Sequence, residues 1–348
     1  MSEFDANIDD QGDGLQGLEP GKVYFMREVD LLTKQEFPYY KIGKVLNEKD
    51  VNTRLKEHQT GNPRSIEIVA EVESKQVTRL ETALHNLNAG VRIHSGEWFH
   101  FPTEVELSAA IADAQRLNAE VDANSAQAEL AIELEKTVSN GAKREADSEA
   151  RDIAELLVSN NGASKILTGN AKNIANELRQ REGDELFDRV GKITPGKPKS
   201  AFSSADLKKD NPELYAQFQT KEYFSKVFRP VGTIPVGDSN LVAVEYGFGH
   251  DLKHLATLSI ADLHAEYLRL WALRATYDWT AENLANALRV ATGEYEGIEG
   301  LVSWKRYNTF RFDSARFKAE MPDLYQQFVR ETQGNETFKV FEWKSYSL

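Results

Sequence analysis

Two short stretches, GKVYFM at residues 21–26 and YYKIGKV at residues 39–45, decide how the first part of the chain is expected to fold. Both alternate in character along their length, which predicts two neighbouring β-strands of a hairpin. The hairpin holds more tyrosine and lysine than alternation requires, and Gly43 interrupts its second strand. A glycine inside a strand is typical of a bulge or of a close approach by another group. The hairpin is therefore a candidate for a role beyond folding.

The segments that follow the hairpin complete a small domain. They predict a helix from about Asp50 to Gln59, a strand SIEIVAEVE at 65–73, a helix from about Lys75 to Ala89 and a short strand EWFHF at 97–101. Residues 21–103 are therefore expected to form one α+β domain, in which helices flank a small mixed sheet.

Residues 104–150 differ in composition from the first domain. They contain no proline and are rich in alanine, glutamate, leucine and lysine, which predicts a long helical linker interrupted near SNGAK at 139–143. Their apolar positions form a narrow, alanine-rich stripe, which is typical of a spacer or of a weak dimer seam.

The last part of the chain contains an internal repeat. FSSADLKKDNPELYAQF at 202–218 aligns without a gap with FDSARFKAEMPDLYQQF at 312–328, and nine of the seventeen positions are identical. The pattern predicts two tandem copies of a small α+β module at 151–232 and 261–348, joined by a connector at 233–260. The apolar and aromatic residues that the copies share are expected to form cores, because retained apolar residues at helical spacing usually pack.

Charge and composition limit the functions to be considered. The chain of 348 residues has a net charge of −13, and residues 1–20 contain six acidic and no basic side chains, which predicts a disordered acidic tail. Residues 21–104 contain twelve basic and twelve acidic side chains, so a local basic face on the first domain stays open. Without cysteine, disulfides and thiolate metal sites are excluded. We expect a cytoplasmic protein with no membrane partner.

Two pairs of polar residues in the first domain have helical spacing. Arg54 precedes His58 by four positions, and Glu81 precedes His85 by four positions. Residues four apart lie on the same face of a helix, so each pair is expected to present both side chains to one side.

The motifs of the first domain, taken in chain order, resemble those of the GIY-YIG nuclease superfamily, in the short subgroup found in many phage proteins. They are KVYFM, YYKIGKV, Arg54-x-x-x-His58, QTGNP at 59–63, LETALH at 80–85 and GEWFHF at 96–101. The resemblance implies a metal-dependent endonuclease that hydrolyses phosphodiester bonds in DNA, most simply in duplex DNA, inside a bacterial host cell.

The resemblance also implies roles for individual residues. Tyr24 matches the first tyrosine of the family, Arg54 matches its helix arginine with His58 one turn on, and Glu81 matches the ligand of one divalent cation, Mg²⁺ or Mn²⁺. Lys41 stands where the family has its second tyrosine, so Lys41 or Tyr40 is expected to replace that group. The resemblance favours Tyr24 as the general base, although the metal or Lys41 would have to lower its pKa. His58 needs no such shift and stays the alternative base.

Other residues of the first domain are expected to support these groups. Gly43, Lys44 and Asn62 are expected to contact substrate, and His85 is expected to support the site. Many members of the family end the domain with an asparagine that this chain lacks, and Glu97 is the strongest polar candidate nearby. Three roles are open for Glu97: a group that orients the site, a second metal contact or a turn residue.

The duplicated modules are expected to direct the nuclease to its target. The second copy, residues 297–328, is also similar to the tail module of YqaJ-like viral recombinase exonucleases. Its basic and aromatic run, Trp304, Lys305 and Arg306 followed by Tyr307 and Arg311, is expected to face phosphates. A phage or host protein is the other candidate partner of the repeats.

A competing class of function is a protein that keeps the nuclease fold without catalysis and binds nucleic acid or another protein. The replacement of a family tyrosine by Lys41 and the missing asparagine favour it, whereas the joint presence of Tyr24, Arg54, His58 and Glu81 favours an enzyme. The target sequence, nicking as opposed to double-strand cutting, a choice between DNA and RNA, and the oligomeric state are not determined by the sequence.

Overall fold

The computed structural model describes residues 18–47, 50–93, 96–232 and 252–346. Its strands are β1 (Gly21–Val29), β2 (Glu36–Leu46), β3 (Ser65–Ser74), β4 (Arg92–Ile93), β5 (Trp98–His100), β6 (Lys143–Arg144), β7 (Gly191–Thr194), β8 (Pro198–Phe202), β9 (Lys221–Pro230), β10 (Gly297–Ile298), β11 (Val302–Arg311), β12 (Val329–Gln333) and β13 (Thr337–Val340). Its helices are α1 (Val51–Gln59), α2 (Val77–Leu87), α3 (Glu104–Glu135), α4 (Ser148–Arg179), α5 (Phe187–Val190), α6 (Ser204–Asp210), α7 (Pro212–Gln217), α8 (Leu252–Leu255), α9 (Ile260–Thr292), α10 (Ser314–Glu320) and α11 (Pro322–Gln327). The combination of helices with several small sheets confirms the α+β class.

Some predicted segments lie wholly or partly outside the described residues. They are residues 1–17 of the predicted acidic tail and residues 233–251 of the predicted connector. Among the residues that the structure does describe, no helix has the length and apolar character needed to cross a membrane.

The first domain is built on one sheet with the strand order β3-β1-β2-β5-β4. Each of the pairings among these described strands is antiparallel, whereas the sequence predicted a mixed sheet. The difference arises because α1 carries the chain from β2 to the other side of β1, and β3 then runs opposite to β1.

The register of β1 and β2 sorts their side chains onto two faces, because successive residues of a strand point to opposite sides. Val23 and Phe25 enter one apolar core, together with Tyr40 and Ile42 from β2 and with side chains of α2 and α3. Tyr24 points to the opposite face, where its neighbours include side chains of α1. Of the candidate site residues, Tyr24 and Lys41 lie on this second face, whereas Lys44 lies on the first face, next to α2.

The first half of the predicted linker is part of the first domain. Thr103 is the N-cap residue of helix α3, and its side chain and that of Glu106 form a capping box. Its stripe of small and apolar residues packs on the core of the first domain, through Leu107, Ala110, Ala114, Leu117 and Val121. Alanine side chains allow a helix to lie close to its neighbour, so this stripe makes contact with the domain and α3 is no free spacer. The predicted interruption lies between the end of α3 and the start of α4.

The long helices of the two repeats lie side by side and antiparallel. Leu178, at the end of α4, packs in one core with Ile260, at the start of α9. Leu157, near the start of α4, packs in another core with Leu288, near the end of α9. At mid-length, the Ser164 hydroxyl donates a hydrogen bond to Asp278. The paired helices form the axis of the second half of the molecule.

The two copies exchange strands and do not form separate modules. Strand β11 of the second copy pairs with β9 of the first copy along their whole length, from Val302 opposite Pro230 to Arg311 opposite Lys221. In the same way, β8 and β7 of the first copy pair with β12 and β13 of the second copy. Each copy therefore completes the other, in place of the two tandem modules that the sequence predicted.

The aromatic residues shared by the repeats form one joint core. Phe202 of the first copy stacks on Tyr325 of the second, with ring centroids 4.5 Å apart, and Tyr215 stacks on Phe312 at 5.0 Å. The buried members of this cluster are Leu207, Leu214, Phe218, Phe317 and Phe328. The expectation that the shared residues are core residues agrees with this cluster, although the core is common to both copies.

Arg79 of α2 joins the first domain to α9. Its guanidinium lies 4.0 Å from the centroid of the Trp279 ring, and its Nε lies 2.9 Å from Glu282 Oε2. The Trp279 indole donates a hydrogen bond to Glu120 of α3 at 2.8 Å. Arg79 is 6% exposed, so this contact between the first domain and α9 is buried and is not a solvated surface pair.

Candidate active site

Tyr24 and Gly43 face each other across β1 and β2 and explain why the second strand contains a glycine. The Tyr24 side chain is 1% exposed, and its ring lies directly over the Gly43 backbone. A Cβ atom added to Gly43 would lie 2.5 Å from the Tyr24 hydroxyl oxygen and 2.7 Å from Cζ. The predicted close approach at Gly43 is therefore the tyrosine ring itself.

Helix α1 brings two of the predicted site residues to the Tyr24 hydroxyl. His58 Nε2 lies 3.4 Å from Tyr24 Oη. Arg54 Nη1 donates to Glu57 Oε2 at 2.5 Å, and the Arg54 charge lies near enough to Tyr24 to oppose the rise in the tyrosine pKa. The spacing of four residues places Arg54 and His58 on the same side of α1, as the sequence predicted.

Lys41 and Glu97 form an ion pair beside this group. Lys41 Nζ lies 2.8 Å from Glu97 Oε2, and the backbone N–H of Ile42 donates to the Glu97 carbonyl at 3.0 Å. Of the roles left open for Glu97, orienting a site group fits this contact, because its carboxylate fixes the Lys41 ammonium.

Glu81 and Lys44 form a second ion pair, between α2 and β2. Lys44 Nζ lies 3.0 Å from Glu81 Oε2 and donates to Thr78 Oγ1 at 2.9 Å. Glu81 is only 9% exposed. The sequence suggested an isolated metal carboxylate and a lysine on the substrate, and the fold instead pairs the two groups with each other.

His85 holds α2 against β2. Its Nε2 donates to the Ile42 carbonyl at 2.9 Å, and its ring centroid lies 5.3 Å from that of Phe99. Burial lowers the pKa of His85, which favours the neutral ring. His85 therefore supports the site through the backbone of β2.

Burial shifts the pKa values of the two candidate bases, Tyr24 and His58, in opposite directions. Burial raises the pKa of Tyr24 above its usual range, and the charges of Glu97 and Glu81 add to this rise while Arg54 opposes it. Burial lowers the pKa of His58, and the charges of Lys41 and Arg54 lower it further. Lys41, which was expected to lower the tyrosine pKa, is engaged with Glu97 instead. At neutral pH, His58 is the group able to accept a proton.

The donor set of the site can be compared with the needs of a divalent cation. In the described ranges, no group of three or more His, Cys, Asp or Glu side chains is arranged to hold a metal ion by itself. Mg²⁺, however, keeps several waters and is usually bound through one or two carboxylates together with substrate phosphates. Glu81 fits such a single ligand, provided that Lys44 releases its carboxylate.

Asn62 has a structural role in the turn after α1. Its Nδ2 donates to Glu28 Oε1 at 2.8 Å, and its Oδ1 accepts the backbone N–H of Arg64 at 2.9 Å. The same turn is held by Gln59, which donates to the Arg64 carbonyl at 2.6 Å. Both ends of the Asn62 amide are engaged within the protein, so its expected contact with substrate competes with the turn.

The predicted phosphate-facing run in the second repeat is split by the alternation of β11. Trp304 and Arg306 are 1% and 0% exposed, and the Arg306 guanidinium lies 3.9 Å from the centroid of the Trp304 ring. Arg306 also donates to the Gly293 carbonyl at 2.7 Å. These two residues are core residues, which contradicts their expected contact with phosphate. Lys305 points outward and lies 3.0 Å from Glu296.

The sequence did not predict the contacts of two residues that hold the site and its domain in place. Thr78 binds Lys44, and Arg79 joins the first domain to α9. The sequence contains no local signal for either, because each partner lies far along the chain and is set by how α2 packs. Tyr24, His58, Arg54 and the Lys41–Glu97 pair are thus grouped at β1 and β2, and the Lys44–Glu81 pair lies between β2 and α2. No protein-family model, curated protein or solved structure matches the chain.

Proposed function

We propose that the first domain is a GIY-YIG-like endonuclease of phage type that hydrolyses phosphodiester bonds in duplex DNA, in the cytoplasm of a bacterial host. The contact of the Tyr24 hydroxyl with His58, beside Arg54 one turn earlier on α1, supports the proposal. Phosphodiester hydrolysis needs a base for water and fixed positive charge beside the phosphate. His58 can supply the base, and Arg54, on the same face of α1, can supply the positive charge.

Each side chain has a distinct task in this reaction. His58 is neutral near pH 7 because burial lowers its pKa, so it can take the proton of the attacking water. Arg54 can exchange Glu57 for the non-bridging oxygens of the phosphate, which it holds with two parallel hydrogen bonds. Tyr24 stays protonated and positions His58. Glu81 would hold one Mg²⁺ or Mn²⁺ ion, which stabilises the charge that develops on the phosphate.

One observation favours a second candidate, a nucleic-acid-binding protein that does not cleave. Three cations of the site are already paired with carboxylates, in the pairs Lys41–Glu97, Lys44–Glu81 and Arg54–Glu57. Substrate and metal must break the last two pairs for catalysis. Binding of nucleic acid without cleavage requires only that Arg54 leave Glu57 and bind a phosphate.

Cleavage of supercoiled plasmid and of single-stranded DNA distinguishes the two candidates. The intact chain is incubated with Mg²⁺, Mn²⁺ or EDTA, in parallel with the variants Glu81→Gln and His58→Gln. Glu71→Gln is the matched control, because it also removes one carboxylate from an ion pair of the same domain, that with Lys22. We expect metal-dependent cleavage that falls by about 100-fold or more in the two site variants.

The control variant should cleave within about twofold of the intact chain, since exposed ion pairs contribute little. If the intact chain binds DNA but cuts neither substrate with either metal, the second candidate replaces the first. If cleavage survives in Glu81→Gln, the assignment of the cation to Glu81 is wrong.

A further inference from the structure

The ribbon of β9 and β11 concentrates positive charge in a chain whose net charge is −13. Along Lys221–Pro230 and Val302–Arg311, six side chains are basic and one is acidic, which gives a net charge of +5. A basic stretch of this kind in an acidic protein indicates a specific anionic partner, because the protein as a whole repels polyanions.

The pairing of the two strands divides these charges between two faces. On the inner face, Arg306 is buried, and Lys226 lies 2.7 Å from Glu135 of α3. The outer face carries the remaining cations and two tyrosines, which are Lys221, Arg229, Lys305, Arg311, Tyr223 and Tyr307. No acidic residue of either strand shares this face, because the one acid, Glu222, has the opposite parity.

The outer face is held in a fixed shape and is open to solvent. The Arg311 guanidinium lies 3.2 Å from the centroid of the Tyr223 ring, which holds this cation against the ribbon. Tyr307 is 44% exposed. Within the described residues, no carboxylate lies within ion-pairing distance of Lys221, Arg229 or Arg311, although Lys305 is paired with Glu296.

Like charges stand directly opposite each other at the end of this ribbon. Arg311 faces Lys221 across the strands. Like charges at directly opposed positions of an antiparallel pair destabilise a sheet, so the pair has a cost for folding. A ligand with closely spaced negative charges removes that cost when it binds.

The strand pairs β7 with β13 and β8 with β12, here called the second ribbon, also contain opposed cations. Lys192 of β7 stands directly opposite Lys339 of β13, and both side chains are exposed. Lys199 of β8 and Arg330 of β12 are also exposed, and Arg330 Nε lies 3.0 Å from Asp206 Oδ2. Each ribbon is made of one strand from each repeat, so the opposed cations recur in both halves of the interlocked unit.

We infer that the outer face of each ribbon binds the phosphate backbone of duplex DNA through its opposed cations, which makes the interlocked repeats a two-point clamp. Two-stranded ribbons fit against duplex DNA, and phosphates recur at regular spacing along it. Two weak contacts on one chain raise the overall affinity through effective concentration. The inference rests on the proposed action on DNA, because it assigns the repeats the task of holding the substrate.

The test measures binding of the full chain to a 30-base-pair duplex in EDTA, over a range of salt concentrations. One double variant changes the first ribbon (Lys221→Glu with Arg311→Glu), and another changes the second ribbon (Lys192→Glu with Lys339→Glu). The matched control is Lys165→Glu with Lys209→Glu, which changes the net charge equally at exposed positions of α4 and α6. We expect each ribbon variant to bind at least about tenfold more weakly, with a salt slope reduced by about 1 to 2, and the control to bind within twofold.

A single substitution separates loss of binding from loss of folding. Lys221→Glu places opposite charges across the strands, so the variant should melt at the same temperature as the intact chain or higher, while it binds duplex more weakly. A purely structural role of Lys221 would not give weaker binding without lower stability. Unchanged affinity in both ribbon variants, or no binding of duplex by the intact chain at low salt, overturns the inference.

The outcomes also keep the inference and the proposed function apart. Plasmid cleavage by the intact chain, together with unchanged binding in the ribbon variants, would support the proposed nuclease and overturn the inferred clamp. Salt-dependent binding that is lost in the ribbon variants, without cleavage by the intact chain, would support the inferred clamp and overturn the proposed nuclease.

Discussion

The contact between Tyr24 and Gly43 gives the sharpest test of the site at the level of single residues. Gly43→Ala adds a methyl group 2.5 Å from the Tyr24 hydroxyl, so the ring must leave the position in which it contacts His58. Overpacking of this kind costs about 1–3 kcal/mol. We expect the variant to lose about that much stability in urea unfolding and to lose most of its DNA cleavage.

The matched control for this change is Gly90→Ala in the same domain. A Cβ at Gly90 has no neighbour within 4 Å, so this variant should keep both stability and activity. If Gly43→Ala unfolds and cleaves like the intact chain, the ring of Tyr24 has room to move, and its position relative to His58 does not matter for the reaction.

Spacing along the sequence was sufficient to predict some contacts of the site and insufficient to predict others. The separation of four residues places Arg54 and His58 together because it depends only on the helix of which both are part. The ion pair of Lys44 with Glu81 joins β2 to α2, and its formation depends on how the helix packs on the sheet. The burial of Arg306 was missed for a similar reason, since β11 has an inner face only after its partners have assembled.

At the level of elements, α9 contains a histidine that makes the fold sensitive to acid. His264 is 0% exposed, its Nε2 donates to the Phe341 carbonyl at 2.8 Å, and its Nδ1 accepts from the Tyr346 hydroxyl at 2.8 Å. Burial lowers the pKa of His264 from 6.5 to about 4. The neutral ring therefore fixes the start of α9 to the C-terminal segment of the chain.

The sign of the resulting pH dependence follows from proton binding. Between pH 6.5 and pH 4 the unfolded chain binds a proton at His264 and the folded chain does not, so stability is full above this window and falls as the pH falls through it. The shift corresponds to a loss of about 3 kcal/mol over the window. The free energy of unfolding, measured in urea at pH 7, 6, 5 and 4, should show this loss.

His264→Gln is the control for the histidine, because glutamine is neutral at every pH. The variant should be less stable than the intact chain at pH 7, but its stability should fall less steeply towards pH 4. Paired carboxylates contribute equally to both proteins, so the difference between the two slopes isolates His264. Equal slopes would mean that the ring takes up its proton without unfolding.

The elements differed in how far local patterns predicted them. The strands of the first domain and the break after α3 follow from alternation and composition. The alanine-rich stripe of α3 was compatible with a spacer, because a stripe shows that a surface is covered without showing what covers it. Its partner is the core of the first domain, which lies earlier in the chain.

At the level of the whole molecule, the duplication was visible in the sequence but the exchange of strands was not. The aligned residues are equally compatible with two modules or with one interlocked unit, because the alignment shows which residues recur without showing which strands pair. The choice is made by the antiparallel packing of α4 on α9, which brings each strand next to the other copy. Arg79 then joins this unit to the first domain, so that the interlocked repeats and the candidate active site are held on one framework.

A chain divided between the repeats tests this interlock. We expect residues 1–240, expressed alone, to leave the amides of β7, β8 and β9 exchanging about as fast as in an unfolded peptide, because their partner strands are absent. Adding residues 241–348 should restore slow exchange in these strands and give a complex with one copy of each fragment. Two independent modules would behave differently, since strands of the first copy would then be protected in residues 1–240 alone and the second fragment would add nothing.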